Sequence, residues 1–153
     1  MKNKKGYDLF LTHAWRFHED WTRFSELMDK VPDVAWRNFS LPWHDPATEP
    51  NTEVGGRFIR DFLERQIIPV HCVVLLAGVY EIKSARRWLD MEVNMARKHN
   101  KPIIGIPAIG KQTVPEEVRV LCDAISGWNG AQLITAIDDV RALPKYAGTS
   151  STG

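Results

Sequence analysis

Eight consecutive small or apolar residues, Cys72-Val73-Val74-Leu75-Leu76-Ala77-Gly78-Val79, form the most hydrophobic segment of the chain. An uninterrupted apolar run of this kind is typical of a strand that is buried on both faces of a parallel sheet. The sequence therefore predicts that Cys72–Val79 is the central strand. A segment with helical periodicity, Ser84–His99, follows it. The two segments form the first strand and the helix of a strand–helix–strand unit.

Strand and helix patterns alternate on both sides of this unit. Four further segments have the composition of strands: Tyr7–Thr12, Val34–Leu41, Ile103–Pro107 and Ala124–Trp128. This alternation predicts an α/β fold, a flavodoxin-like three-layer sandwich with a five-stranded, mostly parallel sheet and helices on both faces. We expect one domain over residues 1–147 and a flexible tail over residues 148–153, because the tail is small and polar.

Composition and charge exclude several classes of protein. The 153 residues are 44% hydrophobic and 25% charged, which argues against disordered, collagen-like and coiled-coil chains. Lys and Arg number 20 against 19 Asp and Glu, so charge gives no reason to expect nucleic acid or an acidic membrane as a partner. The two cysteines, Cys72 and Cys122, form no C-x-x-C pair, and no segment has the pattern of a signal peptide or a membrane span. We therefore expect a cytoplasmic protein.

Candidate binding residues follow the predicted strands, because ligands of open α/β sheets bind beyond the carboxyl ends of the strands. The three segments concerned combine aromatic, basic and hydrogen-bonding groups: Thr12-His13-Ala14-Trp15-Arg16, Pro42-Trp43-His44-Asp45 and the stretch Tyr80–Arg87. Such a mixture suits a nucleotide. Because surface loops are polar in most proteins, this signal alone is equally compatible with solvent-exposed loops.

A carboxylate lies on the apolar side of the predicted helix Ser84–His99. At about 100° per residue, Glu92 falls between Trp88 and Ala96 in the middle of the apolar face. An inward-facing carboxylate costs several kcal/mol unless it is hydrogen-bonded, paired or functional. The pattern favours a functional carboxylate. Two alternatives remain: a slightly different helix register, and a buried ion pair with an arginine of the same helix, Arg86, Arg87 or Arg97.

Ser84, Trp88 and Glu92 are spaced i, i+4, i+8 and so rise along one side of this helix. Ser84 lies at the N-terminal end, where free backbone N–H groups favour an anion such as a pyrophosphate. The three residues together are more specific than any one of them.

Three elements together resemble a TIR domain. They are Phe10-Leu11-Thr12-His13, the proline-containing segment after the second strand, and Ser84-x-x-x-Trp88-x-x-x-Glu92. The stretches Tyr7–Trp15 and Asn38–Pro42 are most similar to the bacterial TIR-like group that includes the sensor subunit of Thoeris antiphage systems. The resemblance extends to about Leu143.

The resemblance implies an enzyme that cleaves the nicotinamide–ribose bond of NAD+ during phage infection. Its product would be a cyclic or conjugated ADP-ribose messenger that activates a separate effector. Glu92 would be the catalytic glutamate, and NAD+ would be the substrate, with no metal and no further cofactor. The resemblance also implies a homo-oligomer and a phage-derived trigger.

The same resemblance implies supporting roles for other residues. Trp15 or Trp43 would stack on nicotinamide or adenine, and Arg16 or Arg37 would hold a phosphate. His13 and Ser84 would bind phosphate or ribose. The remaining members of the expected substrate-binding set are Thr12, Asp45 and Trp88.

The sequence departs from the family pattern at two positions. Animal and plant TIR domains usually carry serine where this chain has Thr12, and often cysteine where it has Leu89. These departures leave the substrate, the product and the retention of catalysis open. Two alternatives therefore remain: a non-catalytic TIR interaction module, and an enzyme similar to nucleoside deoxyribosyltransferases, which would also use a glutamate at an N-glycosidic bond.

Other site types fit the sequence less well. A metal site would have to use His13, His18, His44 and Asp45, which lack a fixed ligand spacing. A phosphate-accepting receiver domain would need acidic residues at the end of the first strand. A Rossmann dehydrogenase would need a G-x-G-x-x-G motif, which is absent.

Overall fold

The computed structural model describes residues 4–12, 19–40, 53–81, 83 and 86–147. Within these ranges the strands are β1 Lys5–Leu11, β2 Val34–Asn38, β3 Cys72–Leu76, β4 Ile103–Ile106 and β5 Ala124–Ile125. The helices of the same ranges are α1 Glu19–Asp29, α2 Glu53–Ile67, α3 Ala77–Tyr80, α4 Arg86–Lys98, α5 Glu116–Arg119, α6 Gly130–Arg141 and α7 Pro144–Ala147.

The five strands form one parallel sheet in the order β2-β1-β3-β4-β5. This is the flavodoxin-like order, so the predicted fold class is confirmed. The connection from β1 to β2 runs toward one edge of the sheet. The connections from β2 to β3 and from β3 to β4 run toward the other edge. Because such crossovers are right-handed, α1 lies on one face and α2 and α4 lie on the other.

Contacts between helices agree with this arrangement of layers. On the first face α6 approaches the end of α1 closely at Gly130, where a Cβ atom would lie 2.7 Å from Val31 Cγ2. On the second face α2 and α4 are joined by an ion pair of 2.8 Å between Glu64 and Lys98. The sheet is therefore covered on both sides.

The prediction that β3 is the central strand is confirmed. All five of its residues are buried, and it pairs with β1 on one side and β4 on the other. The predicted extension of this strand to Val79 is wrong, because the chain turns into α3 at Ala77. Composition could not mark this boundary, since a buried strand and a buried helical turn have the same apolar character.

Two further differences concern the ends of elements. The predicted strands that begin at Val34, Ile103 and Ala124 are shorter than expected. Helix α7 was not predicted; its Tyr146 hydroxyl donates to Asp123 Oδ2 at 2.8 Å. The segment 148–153, predicted to be a flexible tail, lies outside the described residues. No helix in the described part of the chain has the length and apolar character that crossing a membrane requires.

Candidate functional site

Thr12 lies at the carboxyl edge of the sheet, directly after β1. Its backbone N–H donates to Val74 O at 3.0 Å, and its Oγ1 accepts from the backbone N–H of Leu76 at 3.0 Å. The chain leaves β1 and β3 in opposite directions, so these bonds span the switch in strand order, where open α/β sheets bind ligands. The Thr12 side chain is fully buried, and its O–H donor is not used in the bond to Leu76.

Helix α4 presents a carboxylate within its apolar face. Its buried residues are Trp88, Leu89, Glu92, Val93, Met95 and Ala96. Glu92 is fully buried, which confirms its predicted inward orientation. Its catalytic role stays a prediction.

Helix α4 ends in a defined backbone turn. Asn100 adopts a left-handed conformation with φ of 53°, its N–H donates to Arg97 O, and the N–H of Lys101 donates to Ala96 O. These two bonds form a Schellman motif, which terminates the helix and leads the chain into β4.

Alternation along β1 identifies the face of the sheet that meets α4. The Tyr7 hydroxyl contacts Asp138 of α6, so Phe10, three residues later, faces the opposite layer, which contains α4. Thr12 lies directly after β1, and its Oγ1 bonds to the backbone of β3. Helix α4 runs antiparallel to the strands from the carboxyl edge, and Glu92 lies about 9 Å along it from Arg86.

The arginines of α4 differ in their surroundings. Arg86 donates from Nε to Tyr80 O at 3.3 Å, and its guanidinium carbon lies 4.9 Å from the centre of the Tyr80 ring. Its Nη2 is 3.9 Å from a carboxylate oxygen of Glu117. Arg87 and Arg97 are exposed. Arg86 is thus held at the carboxyl edge by the residue that ends α3.

The sequence placed Tyr80 and Arg86 in a candidate binding segment but assigned neither of them a role in binding. Both lie in the segment after the central strand, which was the only signal that could have identified them. Their cation–π contact depends on the turn of α3, which the sequence pattern did not predict.

Arg37 is not brought together with Thr12 and Glu92. It lies on β2 and makes two hydrogen bonds to Asp8, from Nε at 2.7 Å and from Nη2 at 2.8 Å. The bonded Arg37 guanidinium holds the pKa of the Asp8 carboxyl below its usual range. Asp8 precedes Thr12 by about 13 Å along β1. A role for Arg37 in binding phosphate stays a prediction.

Trp88 lies within the hydrophobic core and is 8% exposed, so little of its indole surface is open to solvent. Its predicted contact with the substrate stays a prediction. The other predicted binding residues lie outside the described residues: His13, Trp15, Arg16, Trp43, Asp45 and Ser84.

No group of metal-ligating side chains is found within the described ranges. The four residues that the sequence offered as metal ligands lie outside those ranges: His13, His18, His44 and Asp45.

Residues 10–113 match the family described as the TIR-like domain of the Thoeris protein ThsB. No curated protein matches the chain. Among solved structures, the CMP N-glycosidase BcmB of Clostridium botulinum is similar over 86% of this chain and 98% of its own, with 14% identity and a TM-score of 0.46. That likeness is too distant to carry an argument about activity. The family match covers more than half of the chain and includes Thr12, Trp88 and Glu92, so the chain belongs to the TIR-like family of the Thoeris protein ThsB, a family of antiviral defence.

Proposed function

We propose that this protein cleaves the nicotinamide–ribose bond of NAD+ and that Glu92 is its catalytic carboxylate. The observation that carries the proposal is the complete burial of Glu92 in the apolar face of α4, the helix that begins at the carboxyl edge of the sheet after the central strand. A fully buried carboxylate in such a helix is a functional-site candidate, because taking its charge out of water costs free energy. Membership of the TIR-like family supports the proposal.

The chemistry requires one carboxylate. Nicotinamide in NAD+ is cationic, so it leaves as a neutral molecule when the electron pair of the C1′–N1 bond moves to N1, and no general acid is needed. The ribose is left with oxocarbenium character. A carboxylate at Glu92, within a site of low dielectric constant, stabilises that developing cation more strongly than the same charge in water would.

The second step forms the product. A hydroxyl group or water attacks C1′, the new bond forms, and the proton of the attacking group is released. Attack by water gives ADP-ribose, whereas attack by a hydroxyl of the same or another nucleotide gives a cyclic or conjugated ADP-ribose. The proposal takes the second path and includes a messenger that activates a separate effector in the cytoplasm. It also includes a homo-oligomer and a phage-derived trigger.

Arg86 supplies a positive charge near this chemistry. Its contacts with Tyr80 hold the guanidinium at the carboxyl edge, from which the pyrophosphate of NAD+ would approach. We include Arg86 as a phosphate-binding residue beside the predicted set. Thr12 would contribute its O–H donor to the ribose or a phosphate.

The test is mass spectrometry of purified full-length protein incubated with NAD+, compared with Glu92→Gln. Glutamine keeps the size of the side chain and removes its charge. We expect nicotinamide release and an ADP-ribose-derived product, both reduced about 100-fold or more in the variant. Asp90→Asn is the matched control, because Asp90 is an exposed acid on the same helix. It should retain activity.

Three outcomes would contradict the proposal. Turnover by Glu92→Gln equal to that of the wild type, with both proteins folded by circular dichroism, would remove Glu92 from the mechanism. Cleavage of deoxynucleosides without cleavage of NAD+ would favour an enzyme similar to nucleoside deoxyribosyltransferases. Absence of any product, both from purified protein and in lysate of phage-infected cells that express it, would favour a non-catalytic interaction module.

A further inference from the structure

A cavity of about 350 Å³ opens at the amino edge of the sheet, opposite the candidate active site. His71, which precedes β3, and Lys101, which precedes β4, lie on its wall. The other polar residues of the lining are Asn100, Arg141 at the end of α6 and Tyr146 of α7. Four separate segments of the chain thus bring an imidazole, an ammonium group, a guanidinium group and a phenol to one concave site.

Lys101 and Arg141 supply the positive charge of the cavity. Lys101 has its backbone fixed by the Schellman motif at the end of α4, and burial holds its pKa below the usual value for lysine. Two acidic groups close to these residues have ion-pair partners of their own, since Asp8 pairs with Arg37 and Asp123 pairs with Lys145, although Asp8 also attracts Arg141 at longer range. Neither Lys101 nor Arg141 forms an ion pair in the described part of the chain.

His71 adds a neutral donor. Its Nδ1 accepts a hydrogen bond of 3.1 Å from the backbone N–H of Asp8, so the proton of the neutral ring is on Nε2. Burial, together with the charge of Arg141, lowers the pKa of His71 and keeps the ring neutral near pH 7. The ring therefore offers an N–H group without adding another charge.

Two helix ends act against an anion at this edge. Helices α4 and α6 both end here, and each C-terminus carries about half a negative charge. Together they offset about one of the two positive charges. Hydrogen bonds to the last carbonyls weaken this effect, because Lys101 and Asn100 bond to α4 and Ala142 bonds to α6. The site remains positive.

We propose that this cavity binds the phosphoryl group of a small phosphorylated molecule, at a site separate from the candidate active site. The Arg141 guanidinium matches two phosphate oxygens, and Lys101 supplies a second charge. The volume exceeds that of one phosphate and lies at the lower end of the range for small-molecule sites. The ligand class is therefore a small phosphate ester or a pyrophosphate compound.

The test is a titration of the full-length, ¹⁵N-labelled protein with pyrophosphate at constant ionic strength, followed by amide NMR. We expect saturable shifts at His71, Lys101 and Arg141. Lys101→Gln and Arg141→Gln should each weaken binding about tenfold, which corresponds to ~1.4 kcal/mol. Lys30→Gln and Arg119→Gln are the matched controls, since both residues are exposed and lie outside the cavity lining.

Two controls test this proposal against the alternatives. Malonate tests whether any dianion binds, and Glu92→Gln tests whether binding depends on the candidate active site. Malonate that binds as tightly as pyrophosphate would overturn the phosphoryl assignment. Equal affinity in wild type and Arg141→Gln, or shifts confined to residues around Thr12, Leu76 and Trp88, would overturn the site. Glu92→Gln should bind pyrophosphate at the cavity as the wild type does, so failure of the proposed NAD+ cleavage leaves this result unchanged.

Discussion

The Thr12 hydroxyl joins β1 to β3. Its Oγ1 accepts from the N–H of Leu76, the last residue of β3, at a point where the ladder between β1 and β3 has ended. A serine at this position would carry the same hydroxyl. The departure from the serine that is usual in animal and plant TIR domains therefore keeps the group that makes this bond.

Thr12→Val should destabilise the protein. Valine keeps the shape of the side chain but leaves the buried N–H of Leu76 without its acceptor, so we expect a loss of about 1–3 kcal/mol in the free energy of unfolding. Thr12→Ser, which keeps the oxygen, should lose less. Urea denaturation followed by circular dichroism measures both. Equal stability of the valine variant and the wild type would show that the bond contributes nothing.

Strand β4 has no space for a Cβ atom at Gly105. A Cβ atom there would lie 2.7 Å from Cys122 Sγ and 2.9 Å from Ile125 Cδ1. The segment between α5 and β5 therefore packs directly on the backbone of β4. Cys122 is a free thiol, and burial raises its pKa to about 12, so it acts here as a packing group that stays protonated at neutral pH.

Gly105→Ala should cost about 1–3 kcal/mol in stability, because the added methyl group overpacks this contact. Cys122→Ala in the same background removes the nearer obstacle and should recover part of the loss. The pair, with Cys122→Ala alone as the reference, forms a double-mutant cycle measured by urea denaturation. Strict additivity of the two changes would argue that Cys122 is not the group that is displaced.

Asp123 connects helix α7 to strand β4 of the sheet. Its carboxylate accepts from the N–H of Ile103 at 2.9 Å and from the Tyr146 hydroxyl, and pairs with Lys145 at 2.7 Å. Burial by itself would raise the pKa of Asp123, but these three partners outweigh it and lower the pKa. The ionised form is therefore the one that the folded state favours.

This linkage predicts the acid side of the stability profile. A depressed pKa in the folded state contributes stability above the unfolded value of about 3.9 and loses it as the pH falls through the folded value. Asp123→Asn should cost about 1–3 kcal/mol at pH 7. The difference from the wild type should shrink as the pH falls below about 4. Urea denaturation at pH 7, 5 and 3.5 measures it.

Asp139→Asn is the control for this series, because Asp139 is an exposed acid on α6. Its stability difference from the wild type at pH 7 should be small compared with that of Asp123→Asn. A difference between Asp123→Asn and the wild type that stays constant down to pH 3.5 would contradict the role of the Asp123 charge.

Much of the molecule was predictable because its signals are local or periodic. The apolar run that begins at Cys72 identified the central strand, and alternation of strand and helix patterns identified the sheet class. Helical periodicity likewise placed Glu92 on the buried face of α4. Each of these inferences depends only on which face of an element is apolar.

The end of β3 and the short helix α7 were not predictable in the same way. Ala77 continues the apolar run and gives no sign of the turn into α3. Helix α7 is short and is held by contacts of Lys145 and Tyr146 with Asp123, more than 20 residues earlier in the chain. Contacts between distant residues leave no periodic pattern in the sequence.

The fold class, the central strand and the inward position of Glu92 follow from the amino-acid sequence, because hydrophobic periodicity is a property of each segment. Three contacts are visible only in the folded molecule: Arg37 pairs with Asp8, Arg86 lies over Tyr80, and Lys101 and Arg141 meet at the amino edge. Those pairings depend on strand order and on the ends of helices. They arise only when separate elements pack against one another.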